Sequence, residues 1–491
     1  MADITILNLN MLYVRYFDTV ERELHLPLGP LYVTSALEDA GFEVDFRDYQ
    51  RHEADELFAA EEIVKFLKDP APVVALSCMA NLLPFTLLAM RELRSAYPDR
   101  TLVLAGVGPK SVETQILERF PWVDIIVRGE SETTAPLLLA ALRDGAPLEA
   151  VPGISFREGG LVRHTERPER ITDLDAITQP AYHHIDLSKY SGYGVITSRG
   201  CPYPCTFCSV APVWDHRSFY RSVDSVLADM RHLHDTAGAK LFLFQDEFFV
   251  SGKSRVMRFC DALARSGLRI HWKAFGRINL TDEEMMRAME ETGCVEIRFG
   301  VESGSDRVLA ATKKGFAAEQ TVDVVRTACD IFRRVDLFYV WGFPFETMED
   351  FYQSLFQMVS FRMMGARILP SLLCLLPQTE IFRDQVKLSD LEFAPDLFPE
   401  YMVTGHEVSR HAHVEIRPEH AGVFDIVRAH PDMFPGFFHV GLDTNIRPKL
   451  RILQEHGFYP ASAEELQEME SCGAHSPRLN EGQRQLATRG G

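Results

Sequence analysis

The sequence contains no apolar run approaching the ~20 residues that a bilayer-spanning helix needs, so no transmembrane segment is expected. It is poor in positive charge: 51 Lys and Arg stand against 70 Asp and Glu, a formal net charge of −19. That balance argues against wrapping a nucleic-acid backbone, which needs a basic surface, and against nonspecific adhesion to anionic lipid. The N-terminus, Met1-Ala2-Asp3-Ile4-Thr5, has neither the basic region nor the long apolar core of a signal peptide, and the cytoplasm is the expected location. Paired cysteines are also lacking. Cys78, Cys260, Cys294, Cys329, Cys374 and Cys472 stand singly, mostly in apolar surroundings, and read as thiols in a reducing compartment rather than a disulfide frame.

The remaining three cysteines are clustered. Thr197-Ser198-Arg199-Gly200-Cys201-Pro202-Tyr203-Pro204-Cys205-Thr206-Phe207-Cys208 carries them at spacing C-x3-C-x2-C after the apolar Gly194-Val195-Ile196. Three thiolates can hold three irons of a [4Fe-4S] cluster and leave the fourth open to a small molecule. A structural zinc site would want a fourth ligand, often in a second cysteine pair, and no second C-x2-C exists. Three neighbouring cysteines cannot all pair as disulfides.

Around this loop the chain alternates strand and helix. In the first third, short apolar strands are expected at 3–9, 42–46, 73–77, 101–105 and 124–127, with helices between them. Gly41 makes a good stop for the first helix. This pattern implies a parallel, doubly wound sheet, in which ligands bind beyond the carboxyl ends of the strands. The loops there include Asn8-Leu9-Asn10, Ser77-Cys78-Met79-Ala80, Gly106-Val107-Gly108 and Arg128-Gly129-Glu130. Their glycines would let backbone approach a flat, bulky ligand, and equally suit ordinary turns. Residues 146–192 read as a linker with a short hairpin about Glu158-Gly159-Gly160. From 193 to 376 the alternation resumes for about six βα units, fewer than the eight of a closed barrel. Gln245, Asp246, Glu247, Arg277, Arg298 and Glu302 fall where strands are expected to end, the side on which such barrels place their chemistry. Residues 377–491 read as a mainly helical cap with a disordered tail after about Ser476. Phe424, Phe434, Phe437 and Phe438 suit either a lid over the barrel or packing into a domain core, and core packing is favoured. His411-x-His413, flanked by Arg410 and Glu415, reads as a solvated loop rather than a metal site.

The cysteine spacing, with Gly200 before Cys201 and Phe207 before Cys208, resembles the radical S-adenosylmethionine (SAM) superfamily. Pro27-Leu28-Gly29-Pro30-Leu31, Gly106-Val107-Gly108-Pro109 and Asp124 through Glu130 resemble the cobalamin-binding domain that precedes the radical SAM domain in one large class. The resemblance implies a Rossmann-like B12-binding domain at 1–145, the linker at 146–192, a partial (β/α)6 TIM-type radical SAM barrel at 193–376, and the C-terminal cap region. It implies cluster ligation by Cys201, Cys205 and Cys208. SAM would be held by Phe207 beside adenine, the Gln245-Asp246-Glu247 strand end at the methionine amino group, Arg277 and Glu302 at carboxylate or ribose, and Gly342 along the adenine. Cobalamin would meet Asn10, Ser77, Met79, Gly106, Gly108, Gly129 and Glu130. The signature Asp-x-His-x-x-Gly is absent, and residues 1–150 contain only His25 and His52. Cobalamin is therefore expected base-off with no histidine ligand.

The implied activity is generation of a 5′-deoxyadenosyl radical and C-methylation of an unactivated carbon in a small-molecule or lipid substrate, such as a hopanoid or natural-product intermediate. Flavodoxin or ferredoxin would supply the electron. The alternative is an oxidative cyclase or rearrangement enzyme of the tetrapyrrole-cyclase type. A methylthiotransferase would carry a second cysteine triplet upstream, where only Cys78 lies. A cluster-bearing scaffold would leave the polar strand ends without purpose.

Overall fold

In the computed structural model of the chain, residues 2–9, 24–54, 57–190, 192–394, 397 and 421–459 are described. Two sheets organise them, the first mostly parallel and the second wholly so. The first contains β1 (Ile4–Asn8), β2 (Val44–Asp48), β3 (Val73–Ser77), β4 (Thr101–Ala105), β5 (Ile125–Val127), β6 (Ile154–Glu158) and β7 (Leu161–His164), in the order β2-β1-β3-β4-β5-β6-β7. Its first five strands run parallel. Strands such as Val-Val-Ala-Leu-Ser of β3 are apolar along most of their length, as covering on both faces requires. Helices Leu28–Asp39, Leu83–Ala96 and Ser131–Asp144 pack against this sheet. Gly145, at φ +65°, ends the last of these in the left-handed conformation that glycine tolerates. The hairpin about Gly159-Gly160 forms as β6–β7. It is not part of a free connection: β6 pairs antiparallel with β5 and extends the first sheet.

The second sheet contains β8 (Tyr193–Val195), then, after the short antiparallel pair β9 (Ser198–Arg199) and β10 (Phe219–Tyr220) that brackets the cysteine loop, β11 (Leu241–Phe244), β12 (His271–Gly276), β13 (Cys294–Glu302), β14 (Arg334–Trp341) and β15 (Arg367–Leu372). The order is β15-β14-β13-β12-β11-β8, all parallel and unclosed. This is the partial barrel expected from the alternation. First-domain residues cover part of its β8 edge: His25 bridges to Gly192, and Leu28 lies against Gly194.

The C-terminal region joins both units. Helix Ala421–Ala429 lies on Leu83–Ala96, and Phe424, Phe434, Phe437 and Phe438 are buried in the first domain's core, not over the barrel. The strands β16 (Leu391–Phe393) and β17 (Phe438–Val440) pair antiparallel. Helix Arg447–Glu455 packs on Met348–Met363, where Lys449 Nζ and Glu346 form a buried ion pair of 2.7 Å. The His411-x-His413 segment and the tail after Ser476 lie outside the described residues. Among the described residues no helix is long and apolar enough to cross a membrane.

Candidate active site

The cysteine loop is clamped at both ends. Gly200 adopts φ +87°, and a Cβ there would stand 2.2 Å from the Arg217 carbonyl, so only glycine fits. Ser218 Oγ donates to Gly200 O at 3.1 Å. Farther along, Thr206 N donates to Thr312 O at 3.2 Å, and Thr206 O accepts from Ile381 N at 2.9 Å. Within the loop, Cys208 N donates to Cys205 O at 3.2 Å and Val210 N to Cys208 Sγ at 3.4 Å. Burial pushes the Cys208 thiol up to about 11, and neighbouring Cys205 and Cys201 add to the rise. Three thiols on a glycine-pinned loop form a donor set suited to a cluster with one open iron.

The strand-end residues divide into two groups. Asp246 is buried, and its carboxylate accepts from Thr197 N (2.7 Å), Ser198 N (3.1 Å), Ser198 Oγ (2.8 Å) and Thr197 Oγ1. It braces the approach to the cysteine loop, and it does not line the cleft that Gln245 and Glu247 line. Arg298 lies in the middle of β13, paired with Glu296 at 2.6 Å, and is not at a strand end. Gln245 and Glu247 do reach open space. Glu247 accepts from Gly200 N at 3.1 Å, and burial pushes its carboxyl up to about 7.

Arg277 stacks 3.7 Å over the Tyr203 ring within the loop and donates through Nε to Asn279 Oδ1 at 3.0 Å. Glu302 pairs with Lys314 Nζ at 2.9 Å in a buried setting, at φ +68°. A glutamate in that backbone region is strained, and such strain concentrates at functional positions. Phe207 packs edge-on against Phe343 at 5.8 Å. Gly342, at φ +84°, leaves no room for a Cβ, which would lie 2.8 Å from Ile446 and Leu372 methyls. Phe207, Arg277, Glu302 and Gly342 are thus spread around the loop and the neighbouring strand ends.

The first domain presents its own cleft, enclosing about 1180 Å³ including its mouth. Alternate residues of three adjacent strands (Ile4 and Ile6, Val73 and Ala75, Val103 and Ala105) form its floor, and Val33, Ala135, Leu138 and Leu139 line its helical side. The mouth reaches the barrel: Ile196, Ser198, Arg199, Trp214, Gln245 and Glu247 line the same cleft as Gly106, Gly129 and Glu130. An apolar slot between sheet and helices, with small residues at its rim, fits the flat tail of a corrinoid. Among the described residues no histidine lines it.

Of the residues expected at cobalamin, Ser77, Gly106, Gly129 and Glu130 line the cleft. Met79 and Gly108 are not among its lining residues. A Cβ on Gly108 would meet Cys78 Sγ at 2.7 Å and Met79 O at 2.9 Å, so that glycine serves loop packing. Asn10 lies outside the described residues. Glu130 lines the cleft and is also held by ion pairs and hydrogen bonds. Its Oε1 pairs with Arg199 Nη1 at 3.0 Å, its Oε2 accepts from Ile171 N at 3.0 Å, and Arg199 Nη2 reaches Glu132 at 2.5 Å. Arg199 also lies 5.5 Å over the Tyr32 ring. Sequence alone gives Arg199 no role, and its place two residues before Cys201 is the one signal that points to it.

An open parallel half-barrel headed by this loop and joined through a shared cleft to a Rossmann-like sheet defines an enzyme with sites for two large cofactors. Comparison with known proteins agrees. The radical SAM superfamily profile matches residues 195–358, and that of the B12 binding domain matches 17–139. An uncharacterized methyltransferase of Pyrococcus horikoshii is 30% identical over 66% of this chain and 71% of its own length. An anaerobic magnesium-protoporphyrin IX monomethyl ester cyclase of Synechocystis sp. is 28% identical over 72% of each. The solved radical SAM methyltransferase TsrM from Kitasatospora setae shares the fold, with a TM-score of 0.64 at 16% identity over 96% of this chain and 99% of that one. The chain belongs to the cobalamin-dependent radical SAM enzymes, in their methyltransferase-like class.

Proposed function

We propose that this enzyme C-methylates an unactivated carbon of a small-molecule or lipid substrate, a hopanoid or natural-product intermediate being the type expected. The observation that carries the reading is the continuous cleft, which brings Gly106, Gly129 and Glu130 of the corrinoid domain together with Ser198, Arg199, Gln245 and Glu247 beside the cysteine loop. Cys201, Cys205 and Cys208 would hold the cluster. Gln245 and Glu247 would meet the SAM amino group, Arg277 and Glu302 its carboxylate or ribose, and Phe207 and Gly342 its adenine. Ser77, Gly106 and Gly129 would meet cobalamin, with the lower base detached in the apolar slot, since no described histidine borders it. When bound, these cofactors supply a substrate-directed carbon radical and a transferable methyl group.

The chain's own part is to orient and to exclude water. Asp246 fixes the strand entering the loop, Gly200 sets its turn, and Arg199 with Glu130 holds the two domains in register. Division at about 145, 192 and 376 remains our reading of the domains, with β6–β7 attached to the first. Flavodoxin or ferredoxin would deliver electrons in the cytoplasm, where free thiols persist. The test is anaerobic turnover with methyl-labelled SAM and candidate substrates. Label in a carbon-bound product methyl supports the reading. 5′-Deoxyadenosine formed with an unmethylated, oxidised product favours cyclase chemistry, the reading suggested by the 28% identical cyclase.

A further inference from the structure

Away from the cleft, the linker is fastened to the last turns of helix Leu28–Asp39. Ser35 Oγ donates to Gln179 O at 2.5 Å, and Thr178 Oγ1 donates to Asp39. At Glu38 the contact has a different character. His183 Nε2 and His184 Nε2 converge on one carboxylate oxygen, Glu38 Oε1, at 3.1 and 2.7 Å. Two imidazoles and a carboxylate, from separate stretches of chain, bring their ligand atoms within 4.8 Å of one another.

The helix supplies an independent reason for a cation here. Its last turn carries Glu38 and Asp39 and no basic residue. Carboxylates at a helix C-terminus face the negative end of the macrodipole, and a positive charge there is favourable. Two imidazoles and one carboxylate also form a donor set that suits zinc and its neighbours among divalent transition metals, and leaves a position for water. Solvent can reach it: the His183 side chain is 67% exposed, against 19% for His184 and 30% for Glu38.

We propose that Glu38, His183 and His184 form a binding site for a divalent transition metal of the zinc class. The metal staples the linker to the helix whose first turns, at Gly29, Pro30 and Val33, wall the cofactor cleft. The site stands apart from the cysteine loop and does not depend on the proposed methylation.

The test uses full-length protein reconstituted with iron, sulfide and cobalamin, stripped of loosely bound metal, and dialysed against chelator-buffered Zn²⁺. Zinc, iron and cobalt per chain are then measured together by mass spectrometry. Wild type is expected to retain about one zinc that His184→Ala and Glu38→Gln lose. The largely exposed His183→Asn serves as the variant least able to disturb folding, and is expected to weaken zinc retention at least tenfold. Zinc should raise the Tm of wild type and not of the variants. Retention of zinc by all three variants at the wild-type level, or none by wild type, overturns the proposal. Iron and cobalt report separately on the cofactor reading: their absence would count against that reading and leave the zinc result standing.

Discussion

The buried pair Arg199–Glu130 is the most exacting place to test how the two domains are held together. The side chains are 9% and 5% exposed, and the N–O distance is 3.0 Å. At an effective dielectric of 20 such a contact has a gross Coulomb attraction of about 5 kcal/mol, much of it offset by desolvation. Arg199→Met leaves Glu130 and Glu132 facing one another's charge in a buried setting, and removing one partner of a buried pair costs about 3–5 kcal/mol. Glu130→Gln is milder, because its amide oxygen still accepts from Ile171 N. If the pair acts as a unit, the double variant Arg199→Met/Glu130→Gln should be less destabilised than the sum of the singles, with a coupling of about 1–3 kcal/mol. Urea unfolding, followed separately by far-UV circular dichroism and by release of bound corrinoid, measures it, since a chain of several domains need not unfold in one step. A second readout is the ratio of 5′-deoxyadenosine to methylated product, which should rise severalfold as the domains lose register. Additivity within about 0.5 kcal/mol, together with an unchanged ratio, would refute the reasoning.

Three further outcomes are expected. Gly200→Ala should abolish cluster assembly, read as loss of most bound iron after reconstitution, because its Cβ would stand 2.2 Å from Arg217 O; wild-type iron content would contradict this. Ala75→Leu should block the apolar slot and lower corrinoid retention at least tenfold while iron content stays the same, measured by optical spectra and metal analysis. Asp350, which caps helix Met348–Met363 and accepts from Ser305 Oγ at 2.6 Å, has its carboxyl held well below the usual range; burial opposes this, but bonds from Arg307, Ser305 and Thr347 prevail. A lowered folded pKa adds stability above the unfolded value near 4, and that stability is lost as pH falls. Asp350→Asn should therefore cost about 1–2 kcal/mol at pH 7, with the difference shrinking below about pH 4 in thermal melts.

Local patterns carried much of the architecture. Short apolar strands alternating with amphipathic helices announce a parallel sheet because each strand needs cover on both faces. Most strand positions agree with the structure to within about two residues, including β3 and β4 at their full length. The cysteine spacing was equally legible, since a cluster loop gathers its ligands within a few residues of chain. Less legible were features decided by distant partners. The β6–β7 hairpin was recognisable as a hairpin, but its attachment to β5 depends on an edge that only the folded sheet exposes. Asp246 and Glu247 both follow the end of β11, yet Asp246 turns inward to Thr197 and Ser198 while Glu247 lines the cleft, a division set by partners distant in sequence.

By itself, then, the sequence determined the order of strands and helices, the loop of Cys201, Cys205 and Cys208, and the absence of a cobalamin-type histidine motif, because each is a property of neighbours along the chain. The tertiary structure alone decided that the slot in one domain opens onto the cysteine loop of the other, that Arg199 meets Glu130, that Phe424 and Phe437 are buried in the first domain, and that Glu38 meets His183 and His184. Those contacts join residues tens to hundreds of positions apart, and no local periodicity encodes which buried charge or apolar face will find which partner once the two sheets are packed.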